Sequence, residues 1–230
     1  MTDSFSSVRE PLFPVAERFV SINGEGPKAG QPAAFIRMKG CNLSCNYCDT
    51  SWANKSDCPC EHLSISELSA WLKEQQVRNV TLTGGEPLMT EGIGLLAQAI
   101  GQLGMEVEIE TNGSIDILPF CHLPCRPAFT IDYKCPDSGM EEHMLLENYS
   151  LLKDKDAVKF VVSSKEDLDT ALFISRKYRL SEKCPVFLSP VFGRIEAKEI
   201  VQYMLDHQWN DARLQLQMHK YIWSPSQRGV

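Results

Sequence analysis

No uninterrupted apolar stretch in the 230 residues approaches the roughly 20 that a membrane-spanning helix needs. Positive charge is also scarce: 23 lysines and arginines stand against 30 aspartates and glutamates, a formal net charge of -7. A surface for nucleic acid or for an anionic membrane needs a clustered positive field, so neither partner is expected. A local basic pocket for a small anion remains compatible with that balance. The opening residues Met1 to Glu10, M-T-D-S-F-S-S-V-R-E, lack the charged-then-apolar order of an export signal. Internal repeats, low-complexity tracts and domain linkers are absent as well, so one domain over residues 1–230 is expected.

Cysteine, by contrast, is abundant. Nine are present, yet the count is odd and the chain is too long to need a disulfide framework, so free thiols in a reducing cytoplasm are expected. A hydrophobic share of 43% and a charged share of 23% are those of an ordinary globular domain.

Apolar segments of strand length alternate with helical patterns. Phe13 to Asn23 reads as a short extended segment, closed by the turn-rich run Gly24-Glu25-Gly26-Pro27. Strands are expected at Ala33–Lys39, Val80–Thr83, Val107–Glu110, Ala128–Asp132, Ala157–Val162, Val186–Ser189 and Leu214–Gln217. Between them, Ser64 and Glu67 form a capping box before a helix through Leu68, Trp71 and Leu72, and Ser164 caps a helix over Lys165–Tyr178. Ile93–Leu103 and Glu196–His207 also read as helices, and Leu145–Leu152 as weakly helical. Such alternation predicts an α/β fold, a partial (β/α) barrel of about six parallel strands rather than a closed barrel of eight units.

One stretch organises the chemistry. Cys41 to Thr50 reads C-N-L-S-C-N-Y-C-D-T and places Cys41, Cys45 and Cys48 in C-x3-C-x2-C spacing on one loop. Three thiolates can hold three irons of a cubane cluster and leave the fourth iron open, whereas an electron-transfer cluster takes four cysteines. The competing reading is a closed structural zinc site with Cys58 or Cys60 as fourth ligand, and spacing alone leaves both in play. The other polar motifs fall at the carboxyl ends of expected strands, where parallel α/β folds carry their reactive groups. They are Gly84-Gly85-Glu86-Pro87, Glu110-Thr111-Asn112-Gly113, Asp132-Tyr133-Lys134, Ser189-Pro190-Val191 and Gln217-Met218-His219-Lys220.

With the cysteine loop after a first barrel strand and a Gly-Gly-Glu-Pro turn about 35 residues later, the chain resembles the radical S-adenosylmethionine (radical SAM) superfamily. Within it, the motifs above together with Asn23-Gly24-Glu25-Gly26, Arg37 and Thr83 resemble the 7-carboxy-7-deazaguanine synthase family of queuosine-precursor biosynthesis, over about residues 14–221. The resemblance implies a 4Fe-4S cluster on Cys41, Cys45 and Cys48, whose open iron is chelated by SAM and whose electron cleaves SAM to a 5′-deoxyadenosyl radical. It implies that this radical takes a hydrogen from C6 of 6-carboxy-5,6,7,8-tetrahydropterin. The ring then contracts to 7-carboxy-7-deazaguanine, ammonia leaves and SAM is regenerated. A lyase-type enzyme, Mg2+ on Thr50, a flavodoxin or ferredoxin reductant and a homodimer are implied too.

The resemblance also distributes roles. SAM contacts fall to Tyr47, Cys48, Asp49, Gly85, Asp132, Tyr133, Lys134, Ser189, Pro190 and Val191. Substrate contacts fall to Ile22, Asn23, Gly24, Glu25, Arg37, Thr83, Glu110 and His219, with Arg37 as the rigid donor fork for the substrate carboxylate. Cys58, Cys60, Cys121, Cys125, Cys135 and Cys184 have no role in it. A radical SAM activase that generates a glycyl radical on a partner protein would share the cysteine loop and glycine turn but not the need for Arg37.

Overall fold

The computed structural model describes residues 10–230, so the expectation about an export signal in the opening residues lies outside the described residues apart from Glu10. Among the described residues nine strands join in one sheet in the order β3-β1-β2-β4-β5-β6-β7-β8-β9. β1 (Leu12–Ile22) pairs antiparallel with both β2 (Pro32–Met38) and the short β3 (Glu61–Ser64). From β2 onward every neighbour is parallel: β4 (Asn79–Gly84), β5 (Glu106–Thr111), β6 (Ala128–Tyr133), β7 (Ala157–Val162), β8 (Val186–Pro190) and β9 (Ala212–Leu214). The expected run of about six parallel strands is present, and the three-residue β9 extends it; the sheet does not close.

The helices follow the capping chemistry. α1 (Ile65–Gln75) starts at Ser64, whose hydroxyl accepts from the Glu67 N–H while the Glu67 carboxylate accepts from the Ser64 N–H. α2 spans Ile93–Gln102, and a single turn, α3, spans Leu118–Cys121. α4 (Lys165–Lys177) is capped by Ser164, as its sequence predicts, α5 spans Ala197–Asp206, and α6 is a single turn at His219–Ile222. Leu146–Leu151, expected to be weakly helical, forms a 3-10 helix. Among the described residues no helix is long and apolar enough to cross a membrane.

Strand alternation separates two faces. Val80, Leu82, Val107, Ile109, Phe129, Ile131, Val158, Phe160 and Leu188 join Leu68 and Leu72 of α1, Leu96 and Ile100 of α2, Leu168 and Leu172 of α4 and Ile200 of α5 in one core. The residues between them, Thr81, Thr83, Glu108, Glu110, Thr130, Asp132 and Lys159, face the other way, and several line a cavity.

A strap spans the open sheet. The loop after β1 is held by residues of β7, β8 and the segment after β9. Gln215 binds both the N–H and the carbonyl of Gly26, at 2.7 and 3.0 Å. The Met218 N–H donates to the Gly24 carbonyl at 3.2 Å. Glu25 accepts from Ser189 Oγ at 2.6 Å, Lys159 Nζ at 3.2 Å and Gln217 Nε2 at 3.3 Å.

Candidate active site

A cavity of about 410 Å3 lies on the polar face at the strand ends. Cys41, Cys45 and Cys48 all line it, with Tyr47, Asp49, Thr50 and Gly85. The cysteine loop is anchored to the turn after β6: Asn46 N–H donates to the Ser138 carbonyl at 3.0 Å and Asn46 Nδ2 to the Asp137 carbonyl at 3.1 Å. Gly85 must be glycine, because a Cβ there would sit 1.8 Å from the Gly40 carbonyl oxygen. Tyr47 Oη donates to the Val161 carbonyl at 3.2 Å, which ties the ring to β7.

The donor set fits an iron–sulfur cluster. All nine cysteines are free, and the Cys58 thiol turns to the Pro59 carbonyl at 3.3 Å. Neither Cys58 nor Cys60 lines the cavity, so the closed zinc arrangement lacks its fourth ligand. Among the described residues no three His, Cys, Asp or Glu side chains are grouped to hold a single ion. Thiols that share a cavity without converging on one point suit a cluster in which each thiolate takes a different iron. Burial pushes the Cys41 and Cys45 thiols up, and metal coordination is what deprotonates such groups.

Most of the residues expected at the substrate meet on one wall. Arg37 on β2 stands opposite Thr83 on β4 in parallel register, and Thr83 Oγ1 donates to Glu110 Oε2 on β5 at 2.8 Å. Arg37 Nε is paired with Glu17 Oε1 at 2.8 Å. Phe19 and Phe35 stack at 4.9 Å between ring centroids beside it, and Ile22, Gly24, Glu25 and His219 complete the lining. A Cβ on Gly24 would meet His219 Nδ1 at 2.7 Å, so the glycine lets the ring approach the strap. Burial holds His219 below its ordinary value, which favours the neutral imidazole.

Further along the same sheet face, at β6 and β7, lies a charged network. Lys159 is 9% exposed and contacts Glu25 at 3.2 Å and Asp132 at 3.7 Å. Burial alone would strip its proton, but the Glu25 and Asp132 carboxylates hold its pKa above the ordinary lysine value. Burial would likewise raise Glu25; the Lys159 ammonium and the hydrogen bonds from Ser189 and Gln217 bring it below the usual carboxylate range. Lys134 pairs with Asp132 Oδ2 at 2.9 Å, whereas Asp132 Oδ1 is buried with no partner among the described residues and lines the cavity. An orphaned carboxylate oxygen of that kind is ready for a ligand donor.

Five sequence expectations land elsewhere. Tyr133 points to the helix side, with its hydroxyl on Glu141 Oε1 at 2.7 Å, because it alternates with Asp132 and Lys134. Ser189 is fully buried beneath Glu25, and Pro190 and Val191 are buried in the strand end and its turn. Asn23 is buried against Thr81 Oγ1 at 2.9 Å and is not among the cavity-lining residues. The sequence reading gave no role to Lys159, Glu17, Trp52, Asn54, Asn112, Thr130 or residues 225–230, all of which line the cavity. In the last segment, Arg228 lies 3.8 Å from the Trp52 ring centroid. Lys159 left a trace in the sequence, as the one charge inside A-V-K-F-V-V, and so did Asn112, inside the strand-end motif Glu110-Thr111-Asn112-Gly113.

A family model described as the radical SAM superfamily matches residues 35–126. The 7-carboxy-7-deazaguanine synthase of Clostridium acetobutylicum is 50% identical over 95% of this chain and 99% of that protein. That of Methanospirillum hungatei is 39% identical over 92% and 86%. Among solved structures, QueE from Escherichia coli superposes with a TM-score of 0.71 at 21% identity, covering 89% of this chain and 93% of that one. Streptococcus suis SuiB bound to precursor peptide SuiA reaches 0.56 at 13% identity, over 79% of this chain and 47% of that one. The two structures share the fold; the sequence relatives, matched over most of both chains, show that this chain belongs to the 7-carboxy-7-deazaguanine synthase family of radical SAM enzymes.

Proposed function

We propose that this protein contracts the ring of 6-carboxy-5,6,7,8-tetrahydropterin to 7-carboxy-7-deazaguanine with release of ammonia, using a 4Fe-4S cluster, SAM and Mg2+. One observation carries the substrate assignment: the row Arg37, Thr83, Glu110 on three neighbouring strand ends beside the three thiols. It offers a cation at one end and a carboxylate at the other, spaced across adjacent strands. A carboxypterin is matched to that row, with an acid group at one end and a guanidine-like ring edge at the other.

When bound at the three thiols, cluster and SAM supply the hydrogen-atom abstraction. The protein's own part is placement. Arg37 has its Nε engaged by Glu17 and presents its remaining donors to the substrate carboxylate. Glu110, oriented by Thr83, accepts from the ring edge, and the stacked Phe19 and Phe35 exclude water beside it. Thr50 offers one hydroxyl oxygen to Mg2+, which prefers oxygen ligands and keeps several waters. Asp132 and Lys134 hold the SAM side of the cavity, and Lys159 ties that side to Glu25 on the substrate strap. A flavodoxin- or ferredoxin-type donor supplies the electron.

The test is anaerobic incubation of the reconstituted protein with SAM, reductant, Mg2+ and the carboxytetrahydropterin, with mass analysis of the product. Wild type yields 7-carboxy-7-deazaguanine; Cys41→Ala, Cys45→Ala and Cys48→Ala each lose SAM cleavage, while Cys58→Ala and Cys60→Ala keep it. Product formation by a triple-cysteine variant would refute the assignment. Thr50→Val keeps the cluster and loses most of the Mg2+ stimulation; undiminished stimulation removes Thr50 from the metal.

A further inference from the structure

Asn112 follows β5 at the cavity and is 6% exposed. Its amide has one permitted orientation. The Ser114 N–H, which can only donate, points at Asn112 Oδ1 from 3.0 Å, and the Ser114 hydroxyl reaches the same oxygen at 2.6 Å. The NH2 is thereby turned the other way, to Asn42 Oδ1 at 3.0 Å and to Cys41 Sγ at 3.6 Å. The backbone is pinned as firmly: the Asn112 N–H donates to Glu86 Oε2 at 2.6 Å, and the same carboxylate takes the Thr111 hydroxyl at 2.8 Å and the Leu88 N–H at 3.0 Å. Glu86 thus joins the Gly-Gly-Glu-Pro turn after β4 to the Thr-Asn-Gly turn after β5, and the joined turns aim one amide at one sulfur.

The three sulfurs are consequently unequal. Cys41 Sγ receives two nitrogen donors, the Leu43 N–H at 3.4 Å and the Asn112 amide. Cys48 Sγ has a hydroxyl contact, Thr50 Oγ1 at 3.7 Å. Hydrogen bonds to cysteine sulfur draw electron density from the thiolate and stabilise the reduced cluster more than the oxidised one, so they raise the reduction potential.

We propose that Asn112 is a positioning residue that raises the potential of the cluster through its amide hydrogen bond to the Cys41 sulfur, with Glu86 and Ser114 holding the amide in place. The inference rests on the cluster reading of the three thiols. It assigns the Asn112 turn a redox role that substrate and SAM contacts do not require.

The experiment is an EPR-monitored redox titration of the anaerobically reconstituted full chain, as wild type, Asn112→Ala and Asn112→Asp. Aspartate keeps the shape and the Ser114 contacts but turns an acceptor oxygen toward the sulfur; alanine removes the donor and adds nothing. Iron and sulfide content should be unchanged, and the midpoint should fall in the order wild type, alanine, aspartate. At a fixed poise the ratio of reduced to oxidised cluster should drop about three- to tenfold for alanine, a tenfold drop being about 59 mV for a one-electron couple. Equal midpoints in the three proteins would overturn the proposal. So would loss of iron from both variants, which makes Asn112 a structural residue only. A wild type that takes up no iron and sulfide would instead bring down the cluster reading, and this inference with it.

Discussion

The two faces of β4 to β7 are built from alternate residues of the same short segments, and both are buried. On the helix side stand Val80, Leu82, Val107, Ile109, Phe129, Ile131, Val158 and Phe160. On the cavity side stand Thr81, Thr83, Glu108, Glu110, Thr130, Asp132 and Lys159, of which Thr81, Glu108, Thr130 and Lys159 are as hidden from solvent as many core residues. Burial therefore does not distinguish the faces; partners do. The apolar face is stabilised by close packing, in which no one contact is unique. Each polar side chain has a named partner, Thr81 to Asn23, Thr83 to Glu110, Thr130 to Glu108, Lys159 to Glu25, or, like Asp132 Oδ1, is left open toward the cavity. Buried polar groups without mutual satisfaction are costly, so a face made of them is kept for what it binds.

The sharpest way to separate the faces is to damage each in turn. Phe160→Ala, on the helix side, should cost about 3–5 kcal/mol of stability, since Phe160 is fully buried and packs on Tyr133 at 5.4 Å between centroids. Urea unfolding measures this, and the folded fraction should still bind the carboxypterin as wild type does. A loss below about 1 kcal/mol would mean that the helix side is not the principal core.

Arg37→Ala, on the cavity side, should do the reverse. A carboxylate left unpaired in a dry pocket costs roughly 2–5 kcal/mol, so substrate binding should weaken about a hundredfold or more while SAM binding and the cluster survive. Because Arg37 also pairs with Glu17, the double variant Arg37→Ala, Glu17→Gln separates lost recognition from an orphaned glutamate. Should Arg37→Ala still prefer the carboxylated pterin strongly over its decarboxylated analogue, another residue reads the carboxylate.

The apolar face was the legible one. Strands such as Ala157–Val162 and Val186–Pro190 are buried throughout, so they read as nearly continuous apolar runs broken only by Lys159 and Ser189, and Ser64 and Ser164 marked their helices through local caps. The edges were harder. β3 is the short, polar segment E-H-L-S and exists through its pairing with β1, which lies far away in sequence. β9 ends at Leu214 and not at Gln217, because Gln215 and Gln217 turn their amides to the strap. In the site, many residues singled out through a local motif, such as Tyr47, Asp49, Gly85 and Asp132, line the cavity. Those defined by a distant partner were not singled out: Lys159 meets Glu25 across 134 positions. Tyr133 was misplaced because a run of three motif residues on a strand cannot all face one way.

The smallest effect tests whether the cavity face is charged throughout. Glu108 is 4% exposed, accepts from Thr130 Oγ1, and is pushed to about 7 by burial first and by the nearby Glu110 charge second, from an ordinary 4.5. Between those two values the folded protein holds a proton that the unfolded chain has released. Stability must then fall as pH rises through that window and level off above it. At about 1.36 kcal/mol per unit the contribution is on the order of 3 kcal/mol, with the full penalty present near pH 8. Glu108→Gln keeps the acceptor for Thr130, cannot ionise, and presents an amide donor toward Glu110. The variant should match wild type near pH 4 and exceed it by up to roughly 3 kcal/mol near pH 8, read from urea unfolding of the two proteins. Parallel pH profiles would mean that Glu108 is already ionised in the folded protein and that Glu110 does not bear on it. The lower part of the cavity face would then be a second charged layer beneath the site, and no longer a neutral floor under the carboxylate that reads the substrate.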